Sequence, residues 1–316
     1  MQQRRVGRTG LRVSSIGLGT MTWGRDTEEH DAAEQLEVFL DAGGTLLDTS
    51  ASYGGGAAEA VLGRLLGSGV DRRDVVLVSK AGTRHGRPDA SRGTLLDDLD
   101  DSLARLGTDH LDLWLVERPD PATPLEETVG ALELAVRSGR TRYVGISNFP
   151  AWTTAQVATA LGPAPGLAAV EVEYSLLQRG VEREVLPAAT ALGLGVLAWS
   201  PLGRGVLTGK YRSTVPSSSR AASSHLRAFV EPYLTDASHG VVEAVATAAD
   251  GLGRSALEVA LAWARDAPGV TSAITGARHA GQLRGALEAA DLELPRPIRE
   301  VLDEVTALDL GYPERF

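Results

Sequence analysis

An α/β fold closed as a (β/α)8 TIM barrel is what the order of elements in this 316-residue chain predicts. Short β-prone apolar runs recur along it, segments of helical spacing and mixed charge separate them, and the runs number eight, the count that closes such a barrel. An open doubly wound sheet is the rival architecture. It would carry a Gly-rich dinucleotide turn after its first strand, and Gly17-Leu18-Gly19-Thr20-Met21-Thr22 lacks the third glycine of that fingerprint.

Ser15-Ile16-Gly17-Leu18-Gly19 is the first run, and Glu28 to Asp41 follows it with helical spacing. Thr45-Leu46-Leu47 then leads into Asp48, and Val75-Val76-Leu77-Val78 into Ser79-Lys80. Thr94 to Leu106 reads as the next helix, before Leu111-Asp112-Leu113-Trp114-Leu115-Val116 runs into Glu117. A helical segment from Leu125 to Arg137 separates that run from Tyr143-Val144-Gly145-Ile146, which ends in Ser147-Asn148. The last three strands are Leu167 to Val172, Leu194 to Trp199 and Val270 to Thr275. Each is a compact stretch that stops at polar residues, as strands do before a loop.

A chain of this length with 43% hydrophobic residues can bury one large core, so residues 1–316 are expected to form a single barrel domain. Residues 203–236, after the seventh strand, exceed an ordinary connection and are expected to form a long loop, either a mobile flap over a bound cofactor or a plain flexible insertion. A formal net charge of -10 with no Lys/Arg tract argues against nucleic acid as a partner. The absence of a long apolar run or a signal-like N-terminus predicts a cytoplasmic protein with no membrane partner. Zero cysteines exclude disulfides and thiol catalysis, and the six histidines lack metal-ligand spacing, so no metal is expected.

In such a barrel the residues after the strands meet at one mouth, where catalytic groups gather. Asp48, Tyr53, Lys80 and Glu117 follow predicted strands two to four and can converge there. Tyrosine is a weak acid at neutral pH, with an ordinary pKa of about 10, and a nearby ammonium favours its phenolate. Lys80 supplies that charge in this reading, and Asp48 holds Lys80 by an ion pair. Such a set can protonate an atom that receives hydride from a bound cofactor. Each residue taken singly also has structural uses, as a cap, a loop contact or a solvated strand end.

The ordered motifs around these residues resemble the aldo-keto reductase superfamily, from Val6-Gly7-Arg8-Thr9-Gly10-Leu11 to about Leu294. They include Gly17-Leu18-Gly19-Thr20-Met21, Leu47-Asp48-Thr49-Ser50-Ala51-Ser52-Tyr53-Gly54, Ser79-Lys80, Val144-Gly145-Ile146-Ser147-Asn148-Phe149 and Trp199-Ser200-Pro201-Leu202-Gly203-Arg204-Gly205. The resemblance implies that Tyr53 donates a proton, that Asp48 and Lys80 tune it, and that NADPH supplies hydride to a small carbonyl or enone substrate. It also implies that Ser147, Asn148 and Glu171 hold the nicotinamide carboxamide and that Trp199 stacks on the ring. Thr20 and the stretch Ser200, Pro201, Leu202, Gly203, Gly205 and Lys210 would surround the cofactor, with glycines admitting phosphate close to backbone. That stretch is not a P-loop, because the spacing would need glycine where Arg204 stands and Ser or Thr where Tyr211 stands. Arg220 matches a cofactor-phosphate arginine of long-loop members, and Arg278 with Gln282 matches the reader of the adenosine 2′-phosphate. A guanidinium fork there favours NADPH over NADH.

Three positions depart from the family pattern. Glu117 replaces a histidine, Glu171 a glutamine, and Gly285-Ala286 a Glu-Asn pair that contacts adenine. The histidine-to-glutamate exchange marks the steroid 5β-reductase branch, where a protonated carboxyl polarises an enone carbonyl; the competing reading has Glu117 ionised and paired with Lys80 or Arg118. The rest of the chain resembles long-loop bacterial-type members. A further alternative is a catalytically quiet NADP(H) sensor, like the superfamily's potassium-channel β-subunits. Trp23, Tyr53, Trp114 and residues 213–236 are expected to line the substrate mouth, while oligomeric state is left open by the sequence.

Overall fold

The structure, a computed structural model, describes residues 1–212, 214–216 and 219–312. Eight parallel strands close a barrel in sequence order: β1 (Ile16–Gly19), β2 (Leu46–Asp48), β3 (Val76–Ala81), β4 (Leu111–Val116), β5 (Thr141–Ser147), β6 (Leu167–Glu173), β7 (Gly195–Trp199) and β8 (Val270–Thr275). All eight predicted runs are strands. The third continues through Lys80 to Ala81, so Lys80 lies within β3 rather than beyond it.

Side chains alternate across a strand, which divides the apolar residues into two cores. One lies inside the barrel and contains Leu46, Val78, Leu113, Leu115, Ala169, Leu197 and Ile274. The larger core lies under the helices, including Glu29–Asp41, Arg92–Leu106 and Leu125–Arg137, whose apolar stripes face the sheet. Leu113 and Leu115 are fully buried, and truncating such a leucine to alanine costs about 2–5 kcal/mol.

Beyond the eight predicted strands the chain forms an antiparallel hairpin, Gln3–Arg5 with Arg12–Ser14. It packs Val6 and Val13 into the barrel's inner core. Its turn needs glycine: Gly7 has φ +53°, and a Cβ there would lie 2.4 Å from the Gly193 carbonyl oxygen, just ahead of β7. The hairpin therefore closes the end of the barrel where strands begin and leaves the opposite end for the site.

The segment after β7 differs from a plain loop. Within 203–236 the chain forms short helical turns at Gly203–Thr208, Arg220–Ala222, Arg227–Val230 and Glu231–Tyr233, then enters the helix Asp236–Leu252. Ser213, Ser217 and Ser218 lie outside the described residues, as does the side chain of Arg220, the expected phosphate contact. No helix among the described residues is long and apolar enough to cross a membrane.

Candidate active site

A period of two builds the site. Each interior apolar residue near the open end of a strand is followed, two positions later, by a side chain of the next layer up. Leu46 is followed by Asp48, Val78 by Lys80, Leu115 by Glu117, Gly145 by Ser147, Ala169 by Glu171 and Leu197 by Trp199. These six residues all line one cavity of about 470 Å³, together with Tyr53, Asn148 and the loops around them.

Lys80 is the hub of the buried end. Its Nζ donates to Asp48 Oδ1 at 2.5 Å, to the Thr49 carbonyl at 2.9 Å and to the Tyr53 hydroxyl at 3.4 Å. Glu171 Oε1 lies 3.4 Å away on the same ammonium. Burial opposes the charge on Lys80, but Asp48 and Glu171 outweigh it and hold the ammonium well above its usual range. Burial raises the Asp48 carboxyl against the pull of Lys80, and burial raises Glu171 well above the usual carboxylate range, with the charge of Asp48 adding to it. Tyr53 corrects an expectation. Burial raises its hydroxyl and outweighs the opposing pull of Lys80, so the ammonium orients the phenol rather than making it a stronger acid in this state.

The Tyr53 hydroxyl accepts from Lys80, which leaves its own proton to be donated elsewhere. Tyr53 opens the turn Tyr53–Gly56, where Gly54, Gly55 and Gly56 all have positive φ and lead into the helix Ala57–Gly67. Beside it, Glu117 accepts from Ser52 Oγ at 2.8 Å and from Ser50 Oγ at 3.4 Å. No ion pair joins Glu117 to Lys80 or Arg118 among the described residues, which corrects the pairing expected for its ionised form. Two serine hydroxyls take that place.

Asn148 and Trp199 form the next part of the wall. Asn148, with φ +62°, donates through Nδ2 to the Glu117 carbonyl and to Ser147 Oγ, both at 3.0 Å, and its Oδ1 accepts from Trp199 Nε1 at 3.0 Å. The indole stacks at 6.4 Å from the Phe229 ring. Arg204 joins these parts: it grips both oxygens of Glu173 at 2.7 and 2.6 Å, donates to the Phe229 carbonyl at 2.6 Å, and lies over the rings of Phe229 and Trp199.

A sequence model described as the aldo/keto reductase family matches residues 15–307. The chain belongs to this family. An uncharacterized oxidoreductase, YrpG, of Bacillus subtilis (strain 168) is 37% identical over 96% of this chain and 96% of its own length. A probable voltage-gated potassium channel subunit beta of Oryza sativa subsp. japonica is 35% identical over 100% of this chain and 98% of its own, and the aldo-keto reductase YhdN of Bacillus subtilis (strain 168) is 32% identical over 91% and 88%. The closed (β/α)8 barrel agrees with membership.

For an aldo/keto reductase, the question at the far end of the cavity is whether the residues fit a dinucleotide. Ser200, Pro201, Leu202, Gly205, Lys210, Arg278 and Gln282 all line it. Gly205, at φ +94°, forms a cradle that a side chain would fill, since a Cβ would lie 3.0 Å from Lys210 Nζ. Arg278 stands before the helix Ala280–Leu287, where its backbone N–H donates to Gln282 Oε1 at 3.0 Å. Bare backbone, two cations and a helix start suit phosphate groups. A polar amide and a flat indole suit the other end of such a molecule.

Two expected cofactor residues stand off the cavity wall. Thr20 is buried and donates its hydroxyl to the Asp48 carbonyl at 3.0 Å, and Gly203 packs against Leu177. Trp23 and Trp114, expected at the mouth, are buried in the helix-side core instead. Met21, Thr22 and Leu257 line the cavity with no role expected from the sequence, as do Arg118, weighed only as a partner of Glu117, and Phe229, which falls within the 213–236 stretch expected at the mouth. Arg118 adjoins Glu117 in sequence and was legible from it; Phe229 comes from the segment after β7, where no periodic pattern fixes which side chain points inward.

Proposed function

We propose that this aldo/keto reductase is an NADPH-dependent oxidoreductase that reduces a small carbonyl or enone compound, with Tyr53 as proton donor. The observation that carries the reading is the direction of hydrogen bonding at Tyr53. Lys80 donates to the hydroxyl at 3.4 Å, so the phenolic proton is directed away from Lys80 and available to a substrate oxygen in the cavity. When bound, NADPH supplies hydride. The chain's own residues bind and orient: Ser147 and Asn148 hold the amide end, Trp199 supports a ring, and Lys210, Arg278 and Gln282 take the phosphates. Glu171, Ser200, Pro201, Leu202 and Gly205 complete the enclosure, and residues 203–236 cover it. As the phenolate forms, Lys80 stabilises it, and Asp48 keeps the ammonium in place.

Between the two bond types, the serine pair favours the carbonyl. A carboxylate that accepts from Ser50 and Ser52 is engaged as an acceptor, whereas enone polarisation would need Glu117 to donate. The relative named as a probable potassium channel subunit beta supports a second reading, an NADP(H)-binding regulatory protein of low turnover. One experiment separates them. NADPH oxidation measured against a panel of aldehydes, ketones and enones should be fastest with aldehydes or ketones, and Tyr53→Phe should lower kcat by about 10²–10⁴ with NADPH affinity retained. NADPH binding without turnover of any substrate would leave the regulatory reading.

A further inference from the structure

Glu171 has no counterpart among the groups that the proton donation requires, and its surroundings are unusual for a carboxylate. It is only 2% exposed, its Oε1 faces Lys80 at 3.4 Å, and its Oε2 receives no N–H or O–H donor. The Asp48 carboxyl sits on the same ammonium, its Oδ1 2.5 Å from Lys80 Nζ, so two buried carboxyls converge on one cation. A proton held between two carboxyls converts one of them to a neutral donor. A single ammonium cannot neutralise two ionised carboxylates at this depth, and an uncompensated buried charge is strongly disfavoured.

The remaining neighbours do not relieve that excess. Tyr53 and Glu117 reach the same space from the ends of β2 and β4, and both add negative charge if ionised. The residues in register with Glu171 on β5 and β7 are Ser147 and Leu197, which carry no charge. Within the cavity Lys80 is therefore the cation shared by both carboxyls.

We propose that Glu171 and Asp48 share one proton in the absence of ligand and release it when a cationic nicotinamide ring binds, so that Glu171 sets the relative affinity for NADP⁺ and NADPH. The inference rests on the cofactor reading above. The oxidised ring carries a positive charge that the reduced ring lacks, and Glu171 lines the cavity alongside Asn148 and Trp199, the residues assigned to that ring. A positive charge placed there compensates the second carboxylate and removes the reason for holding the proton. A glutamine would bind the same amide without any proton to release.

Calorimetric titration of the full chain in buffers of different ionisation enthalpy counts the protons. NADP⁺ binding should release close to one proton more than NADPH binding does, and the Kd for NADP⁺ relative to NADPH should tighten about tenfold per pH unit where release is complete. Protons exchanged by the phosphate groups are common to both forms and cancel in the difference. Glu171→Gln, a near-isosteric change, should abolish the difference. An equal count for the two forms in the wild type overturns the proposal, whatever the variant does. So does an undiminished difference in a folded Glu171→Gln protein, because the proton then belongs elsewhere. Absence of binding by either form would instead remove the cofactor reading, and this inference with it.

Discussion

At the Tyr53 end of the cavity the ionisable groups stand on or just beyond barrel strands and engage one another, whereas the Arg278 end is assembled from a loop after β7 and the start of a helix. Asp48, Lys80 and Glu171 are at most 2% exposed, while Lys210 is exposed and Arg278 is half-buried. The contrast separates two kinds of work. Strand-borne groups in a dry layer hold their geometry without a ligand, which is what proton transfer demands. Under the proposed function, the cations nearer the surface would add affinity for phosphate, and such contacts respond to salt.

Removing the hub should break the buried end most severely. Lys80→Met leaves Asp48 and Glu171 without their cation, and losing one partner of a buried pair costs about 3–5 kcal/mol. The pH dependence has a definite sign. Both carboxyls have folded pKa values raised above those of the unfolded chain, so their contribution to stability is greatest at low pH and is lost as pH rises through the folded values. Without Lys80 this loss has no offset. Denaturant titration should therefore show a larger deficit for the variant at pH 8 than at pH 5.5; equal deficits would mean that the carboxyls are not linked to folding in this way.

That same contrast explains what the sequence made legible. The strand-built layer obeys period two, so Asp48, Lys80, Glu117, Ser147, Glu171 and Trp199 could each be placed from the apolar residue two positions earlier. The barrel followed from the same runs. The loop-built part has no such ruler: Phe229 and Arg118 lie on the wall, Gly203 and Thr20 do not, and the Arg204 bridge to Glu173 joins residues 31 apart. Nor could the serine cradle of Glu117 be read, since Ser50 and Ser52 reach it across 67 and 65 positions. Contacts of that kind depend on tertiary placement, as does the balance by which burial defeats Lys80 at Tyr53.

At the Arg278 end the expected effect is smaller and selective. Arg278→Ala should weaken NADPH binding about tenfold, the equivalent of about 1.4 kcal/mol, and leave NADH nearly unchanged. The affinity of the variant for NADPH should also fall less steeply with added salt, because one cation fewer meets the phosphate. Equal losses for both cofactors in fluorescence titrations would show that Arg278 supports the loop rather than reads a phosphate. Either way Tyr53-dependent kcat should hold, since Tyr53, Lys80 and Asp48 are held by one another at the buried end.

The smallest effect is expected where the segment after β7 meets the loop after β1. His225 Nε2 lies 2.9 Å from Asp26 Oδ1, an attachment between positions 199 apart that ties residues 223–226 to residues 22–27. Asp26 is held below the ordinary carboxylate range: burial raises it, but hydrogen bonds from Arg25 and His225 prevail. A depressed folded pKa contributes stability at neutral pH that is lost as pH falls through the folded value. The pair is partly exposed, so His225→Gln should cost under about 1 kcal/mol of global stability. If residues 203–236 act as a flap, the same change should accelerate NADPH release several-fold in stopped-flow fluorescence, and high salt should bring wild-type release toward the variant's rate. Unchanged release would make the contact a surface attachment without a role in closure, and would confine the cofactor's hold to the cavity wall itself.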